Sequence, residues 1–390
     1  MIREFSVTNL NGQLTANLTF HSDLNLITGR NGSGKTTVLK LLWYLTSGNI
    51  ERISSEMSFE RASVVTDDYS LLLAMSREGR RNIIEWEWLP AVGIPVTNRV
   101  QTVLDFGEEE NTGTFLGSAR RGKAVSDSDD LNEVNTLVAR KGASLFFPTF
   151  RRIEGGFSLA ADAYARARST DIEVPLQRLA TALSVRSHRF VASVSTNDVV
   201  SSLTTHYAAV SQQLNQQHRE LSGRISDLVQ RYEAGAALHS GGQAEQRLSA
   251  AHMTLESVKD LVRNHTAKQE QVLRPFTALT ALILAVFRHK GIKVTSQLTL
   301  GEAQEAIASD KLSAGEKQML SFLIYNAFTS GAAIFIDEPE ISLHVDWQRQ
   351  LFPWLLAQGT TNQFIIATHS PFIYSKYADK ELVLDSDRGE

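Results

Sequence analysis

The sequence contains no cysteine. That absence excludes disulfides, thiolate metal sites and cysteine nucleophiles, so any metal is expected to be oxygen-bound, and it suits a reducing cytoplasm. Long apolar runs are also missing. The longest, Phe276 to Phe287, falls well short of the roughly 18–20 residues a membrane span needs, and the start MIREFSV lacks the apolar core of a signal peptide. A cytoplasmic chain with no membrane partner is expected. A large excess of either charge is missing too: the formal net charge is -4, which gives no global attraction to nucleic acid and leaves any DNA contact to a local patch. Proline is sparse, and none falls between Pro175 and Pro275. What is present is 42% hydrophobic residues over 390 positions, enough for a full core in one large domain or two ordinary ones.

Along the chain, Ile2–Asn9, Leu14–Phe20 and Leu24–Thr28 read as short strands, the last running into a glycine-rich turn. A helix over Thr36–Leu45 should follow, apolar nearly all round and stopped at Gly48. Residues 58–106 read as antiparallel β structure, with Tyr69–Met75 and Asn82–Trp88 flanking a polar turn. From Gly107 to Asp130 the composition of Gly, Ser, Glu and Asp predicts a loop. From about Ser201 glutamine, arginine and alanine dominate. Tyr207, Leu214, Leu221 and Leu228 recur every seven residues with Ile225 and Tyr232 beside them; beyond the flexible tract Ala234–Gln243, Leu248, Leu255 and Val262 form a second row, joined by Ala251 and Val258. Two such seams predict an antiparallel coiled-coil hairpin, interrupted by Ser211, His218 and His265. The final segment alternates strand and helix: Ile292–Ser296, helix Ser313–Phe328, strand Ala332–Ile336, helix Trp347–Ala357, strand Phe364–Ala367 and strand Glu381–Leu384. That order predicts an α/β fold with a buried parallel sheet.

Chemistry concentrates at three places. Gly29, Arg30, Asn31, Gly32, Ser33, Gly34, Lys35 and Thr36, continued by Thr37, match the phosphate-binding loop pattern between a strand and a helix. Glycines let successive N–H groups curl round phosphates at the positive end of the helix, Lys35 reaches the terminal phosphates, and the Thr36 hydroxyl ligates magnesium. ATP and Mg2+ are the expected cofactors. Far downstream an apolar strand ends in Asp337-Glu338-Pro339; Asp337 would hold the magnesium shell and Glu338 would polarise a water. Between them, Leu312-Ser313-Ala314-Gly315-Glu316-Lys317-Gln318 has the spacing of a capping box. A capped helix start beside the small Gly315 is an anion site that could meet a γ-phosphate held by another molecule.

The phosphate loop, LSAGEKQ, a hydrophobic strand ending in Asp-Glu, Ser342-Leu343-His344 and a lone His369 after the next strand together resemble the ABC ATPases. LSAGEKQ is similar to their signature sequence, departing at Ala314, where glycine is usual. The resemblance places a dimer-contacting loop at Ser342–Asp346 and makes His369 a switch histidine touching the γ-phosphate. The family's magnesium-sensing glutamine should fall near Leu145–Glu154, where no glutamine stands; Arg151 and Arg152 there are candidate phosphate, partner or DNA contacts.

The wide separation of Lys35 and Ser313 is similar to the SMC-like and RecF-like branch. It implies a P-loop ABC-ATPase head with an antiparallel β subdomain and an inserted helical hairpin. The organisation expected is an N-terminal ATPase lobe over residues 1–200, a hairpin insertion over 201–275 and a C-terminal lobe over 276–390. By the same resemblance each ATP is sandwiched between one chain's phosphate loop and the signature of another, so a homodimer or higher homo-oligomer is implied.

Arg-Arg-Ile-Glu at 151–154 and Glu338–His344 look most like ATPase subunits of anti-phage systems of the OLD, Septu and PARIS types. This implies a sensor that responds to DNA or a phage protein and controls an effector. Only Ser370–Glu390 follow the switch histidine, and Asp385-Ser386-Asp387 there reads as a polar tail, so the effector, a nuclease or toxin, is expected on a separate protein. A RecF-like DNA-repair ATPase and an ATP-locked scaffold with incidental turnover are the alternatives.

Overall fold

A computed structural model describes residues 1–78, 81–94, 96–103, 128–149, 152–153, 178–194, 196–238, 244–289 and 313–384. Strands β1 (Ile2–Leu10), β2 (Leu14–Thr19) and β3 (Leu24–Thr28) lead into helix α1 (Lys35–Ser47). Then come α2 (Ile50–Glu56), β4 (Arg61–Thr66), β5 (Tyr69–Glu78), β6 (Arg81–Pro90), β7 (Val96–Val103), α3 (Ser128–Ala139), β8 (Ser144–Phe147), β9 (Arg152–Ile153), β10 (His188–Phe190) and β11 (Ser193–Val194). Two long helices, α4 (Thr196–Leu238) and α5 (Ala244–His289), precede α6 (Ala314–Ala327), β12 (Ala333–Asp337), α7 (Val345–Ala357), β13 (Gln363–Ala367), α8 (Pro371–Tyr374) and β14 (Glu381–Val383).

The first two strands join the β subdomain in a sheet of order β2-β1-β4-β5-β6-β7, antiparallel throughout. The third leaves it for a second sheet of order β10-β8-β12-β13-β3-β14, parallel throughout. Helix α1 explains why its sequence is apolar on every side. It packs against both sheets, and Val38, Leu39, Leu41, Leu42, Trp43 and Tyr44 are all fully buried. Gly48 ends it in a left-handed conformation (φ 77°), which only glycine adopts without strain. Helices α6 and α7 cover the other face of the parallel sheet, through Phe322, Leu323 and Phe352. Parallel strands β8, β12, β13 and β3 all end at the same edge, so their C-terminal loops converge.

Several sequence expectations need adjustment. The loop expected over Gly107–Asp130 gives way to helix at Ser128, and the rest of it lies outside the described residues. So do the strand expected at Ile292–Ser296, Leu312, Arg151, and Asp385-Ser386-Asp387. Arg152 enters β9, paired with Ser193 of β11. The hairpin helices run past 201 and 275 at both ends, and α5 continues through Pro275.

The first seam holds from Leu214 on: Leu214, Leu221, Ile225, Leu228 and Tyr232 are partly buried on one row of α4, and the side chain of Tyr207 lies outside the described residues. The second is right at Ala251 and Val258 and wrong at Leu248, Leu255 and Val262. Leu248, Leu255 and Val262 are 73%, 66% and 43% exposed, whereas Ala251, Thr254, Val258, Leu261 and His265 carry the partly buried row. A seven-residue repeat fixes a stripe on the helix, and packing decides which stripe turns inward. His218, exposed, and His265, partly buried, lie ring to ring, centroids 4.8 Å apart.

Candidate functional site

The phosphate loop joins β3 to α1. Gly32 and Gly34 take φ values of 82° and 88°, in the left-handed region that favours glycine and lets the backbone curl. No side chain caps α1, since its N-cap is Gly34, so the first-turn N–H groups are left for a ligand. Lys35 is buried, and its Nζ donates to the carbonyls of Gly29 and Arg30, 2.9 Å each. Burial pushes its ammonium below the usual lysine range, against the opposing pull of Glu338, Asp337 and Glu340. The Ser33 hydroxyl is buried without a hydrogen-bond partner, a donor placed where a phosphate oxygen would satisfy it. Arg30, Asn31 and Thr36 are exposed, and Gly29 and Thr37 partly so. An open cleft of ≈ 490 Å³ beside the loop is lined by Asn11, Gln13, Leu14, Gly34 and Thr37.

The tip of β12 faces that loop. Thr36 Oγ1 donates to Asp337 Oδ1 at 3.0 Å, and Thr149 Oγ1, just past the end of β8, donates to Asp337 Oδ2. Two hydroxyls and one carboxylate are the hard oxygen donors a magnesium ion selects, and the shortfall from six ligands is what nucleotide phosphates and water supply. The residues present therefore fit Mg2+ bound together with ATP. Among the described residues no group of three or more acidic, histidine or cysteine side chains could hold a metal ion.

Glu338 sits in a left-handed backbone conformation, φ 47°, which a non-glycine residue adopts at some cost. Its N–H donates to Ala367 O of the neighbouring strand at 2.8 Å, fixing the turn. His369 follows β13, and its Nε2 lies 3.6 Å from Glu338 Oε1, with the two side chains 31% and 27% exposed. That separation is longer than a hydrogen bond. The structure thus gathers Lys35, Thr36, Asp337, Glu338 and His369 at one sheet edge, although the first and last stand over 300 positions apart in the chain.

Ser313 is the N-cap of α6. Its Oγ accepts from Glu316 N at 3.4 Å, while Glu316 Oε2 accepts from Ser313 N at 2.7 Å and from Ser313 Oγ at 2.9 Å, a complete capping box. Gly315 has a packing reason: a Cβ there would lie 2.2 Å from Ser342 O. Gln318 Nε2 donates to Pro339 O at 3.2 Å. The turn that starts α6 is thereby seated on the loop after Glu338.

Three residues of this region escaped the sequence reading. Thr149 occupies the stretch where the ABC resemblance calls for glutamine, and the signal was a hydroxyl following Phe147-Pro148 at a strand end. Glu340 accepts from His369 N and Thr368 Oγ1; a third acid two residues after Glu338 was the hint. Gln348 of α7 joins Leu343 O to Ser370 Oγ, and nothing local in the sequence marks it. At the opposite end of the sheet, Trp43 Nε1 donates to Ser144 Oγ at 3.0 Å, and Ser144 Oγ shares a 2.8 Å bond with His188 Nδ1. Burial pushes His188 down to about 4.

Among the described residues no helix is long and apolar enough to cross a membrane. No curated protein matches the chain. Among solved structures, the Smc head domain of Pyrococcus furiosus, with an extended coiled coil and bound to the C-terminal domain of ScpA, is 11% identical. The match covers 100% of this chain and 94% of that one at a TM-score of 0.35. The Smc head of Pyrococcus yayanosii, with a coiled coil and joint, is also 11% identical, over 100% and 95% of the two chains at 0.34. Two family models match. One, described as "AAA domain", covers residues 6–141 and so includes the phosphate loop. The other, described as "AAA domain, putative AbiEii toxin, Type IV TA system", covers residues 185–375 and so includes Ser313, Asp337, Glu338 and His369. The chain thus carries sequence similar to AAA-type ATPase domains on both sides of residues 142–184, with its candidate nucleotide-site residues divided between the two matches.

Proposed function

We propose that the chain is a Mg2+-dependent ABC-type ATPase whose sites form between two copies, acting as the sensor or regulatory subunit of an anti-phage defence system with a separate effector. The observation that carries the ATPase reading is the Thr36–Asp337 hydrogen bond, 3.0 Å, which joins the phosphate loop to the tip of β12. The pull of Glu338 on the Lys35 ammonium supports a carboxylate near the terminal-phosphate end of the loop. Lys35, now held on two carbonyls of its own loop, exchanges them for phosphate oxygens when ATP enters, and the bare N-terminus of α1 adds its N–H groups. Bound magnesium supplies charge neutralisation on the phosphates, with Thr36 and Asp337 holding it. Glu338 orients the attacking water and accepts its proton; His369 donates a hydrogen bond to the γ-phosphate.

The two-copy site rests on Ser313. Ser313 is exposed at the start of a turn whose Gly315 and Glu316 are buried, in keeping with a contact by Ser313 to a phosphate held by another chain. The defence role rests on the resemblance of residues 151–154 and 338–344 to such subunits, and on the toxin-system name attached to the matching model.

Turnover measured with and without DNA, beside the oligomeric state of Glu338→Gln, tests the reading. ATP-dependent pairing with turnover about 10²–10³-fold slower in Glu338→Gln is expected, because an amide cannot accept the proton. Unchanged turnover removes Glu338 from that role. Stimulation by DNA is expected of a DNA-triggered sensor and of a RecF-like repair ATPase alike, and pairing without turnover in the unaltered chain favours a scaffold.

A further inference from the structure

We infer that Glu340 is a positioning residue that fixes the loop carrying His369, and with it the approach of the imidazole to Glu338. Both of its carboxylate oxygens are committed to that loop: Oε1 accepts from His369 N at 2.6 Å and Oε2 accepts from Thr368 Oγ1 at 2.9 Å. Hydrogen bonds to an ionised acceptor are shorter and roughly twice as strong as neutral ones. Thr368 is fully buried, and its Oγ1 in turn accepts from Ser370 N at 3.0 Å. Ser370 Oγ donates to Gln348 Oε1 at 2.6 Å. Every residue from 368 to 370 is therefore tied down, and Glu340 makes two of the ties.

The backbone that carries this carboxylate is itself held. Ile341 N donates to Glu338 O at 3.3 Å and Leu343 N to Glu340 O at 3.0 Å, so consecutive turns carry both acids, with Pro339 fixing φ between them. Glu338 faces the His369 ring from one side, 3.6 Å away, while Glu340 grips the backbone of the same residue. One short turn thus sets both partners of the pair. A misplacement of about 1 Å in such a constellation costs on the order of 10²-fold in rate.

The inference rests on the ATPase reading for its kinetic consequence but not for its structural one. Hydrogen exchange over residues 367–370 without nucleotide should be at least about tenfold faster in Glu340→Gln, since the amide offers one acceptor oxygen where the carboxylate offered two. Unchanged protection overturns the inference whether or not the chain hydrolyses ATP. In turnover, Glu340→Gln should lose about 10–100-fold in kcat, with ATP affinity by calorimetry within about twofold of the parent. The double variant with His369→Ala should be no slower than His369→Ala alone, because the two act as one unit. Losses that multiply overturn the inference, as does a drop in ATP affinity with kcat kept, which would place Glu340 in the field around Lys35 instead. Thr368→Val, which removes the Oγ1 bonds to Glu340 and to Ser370 N but keeps the tie of His369 N to Glu340, should show the same pattern at smaller size and serves if Glu340→Gln does not fold. Absence of turnover in the parent chain refutes the ATPase reading and leaves the exchange result to decide the role of Glu340.

Discussion

Two helix starts in this molecule answer their free N–H groups in opposite ways. At α1 the N-cap is a glycine with no side-chain cap, and a buried lysine reaches back over the loop. At α6 the N-cap is Ser313, and its helix dipole is already answered by Glu316, 3% exposed and bonded to both the N–H and the hydroxyl of Ser313. The first start is electrostatically open and can hold a phosphate alone. The second is self-satisfied, with a negative charge in its first turn. It offers shape more than charge, in keeping with the proposed contact to a phosphate already neutralised in another chain. The difference between the two starts argues for a composite site.

The strongest way to break that contrast is Lys35→Ala. It removes the only cation this chain is proposed to place on the terminal phosphates, and ATP affinity should fall by at least about 10²-fold in calorimetry. Retained affinity would mean the loop does not need its lysine. Next comes Ser313→Arg, which should leave single-chain ATP binding nearly intact while lowering hydrolysis about 10²-fold and abolishing ATP-driven pairing, since bulk at the second start blocks only the other chain's phosphate. Mixing it with Lys35→Ala should restore partial turnover, because each mixed pair contains one intact loop facing one intact Ser313. Normal hydrolysis by monomeric Ser313→Arg would refute the two-chain site.

A smaller effect should follow Gly315→Ala. The added Cβ meets Ser342 O at 2.2 Å, backbone that must shift, at a cost of about 1–3 kcal/mol. Pairing should weaken while ATP binding at the Lys35 loop is kept; equal loss of both would show that the two starts are coupled within one chain. The mildest test is Glu316→Ala, which opens the capping box and should cost about 1 kcal/mol of stability in thermal unfolding. An unchanged melting temperature would show that the second start is not self-satisfied in solution.

The sequence made one of these starts legible and half-hid the other. The glycine and lysine spacing of Gly29–Thr36 names its chemistry locally, because the ligand is bound by backbone and a side chain within one turn. The capping box at Ser313 and Glu316 was equally local. The seat of Gly315 on Ser342 was not, since the two residues meet only after β12 and the loop beyond it fold back. The hairpin shows the same limit: the repeat of Leu248, Leu255 and Val262 was plain, yet those residues face outward, because a repeat gives a period and not a phase.

By itself, then, the sequence determined what depends on neighbours along the chain: the phosphate loop, the strand ending in Asp337 and Glu338, the helix caps and the period of the hairpin. The tertiary structure alone decided what depends on parallel strands ending at a common edge. It set Thr149 on Asp337 and Glu340 on the backbone of His369. The physical reason is that hydrogen bonds across a sheet edge join residues by strand order, and strand order is fixed by packing around α1 rather than by any spacing along the chain.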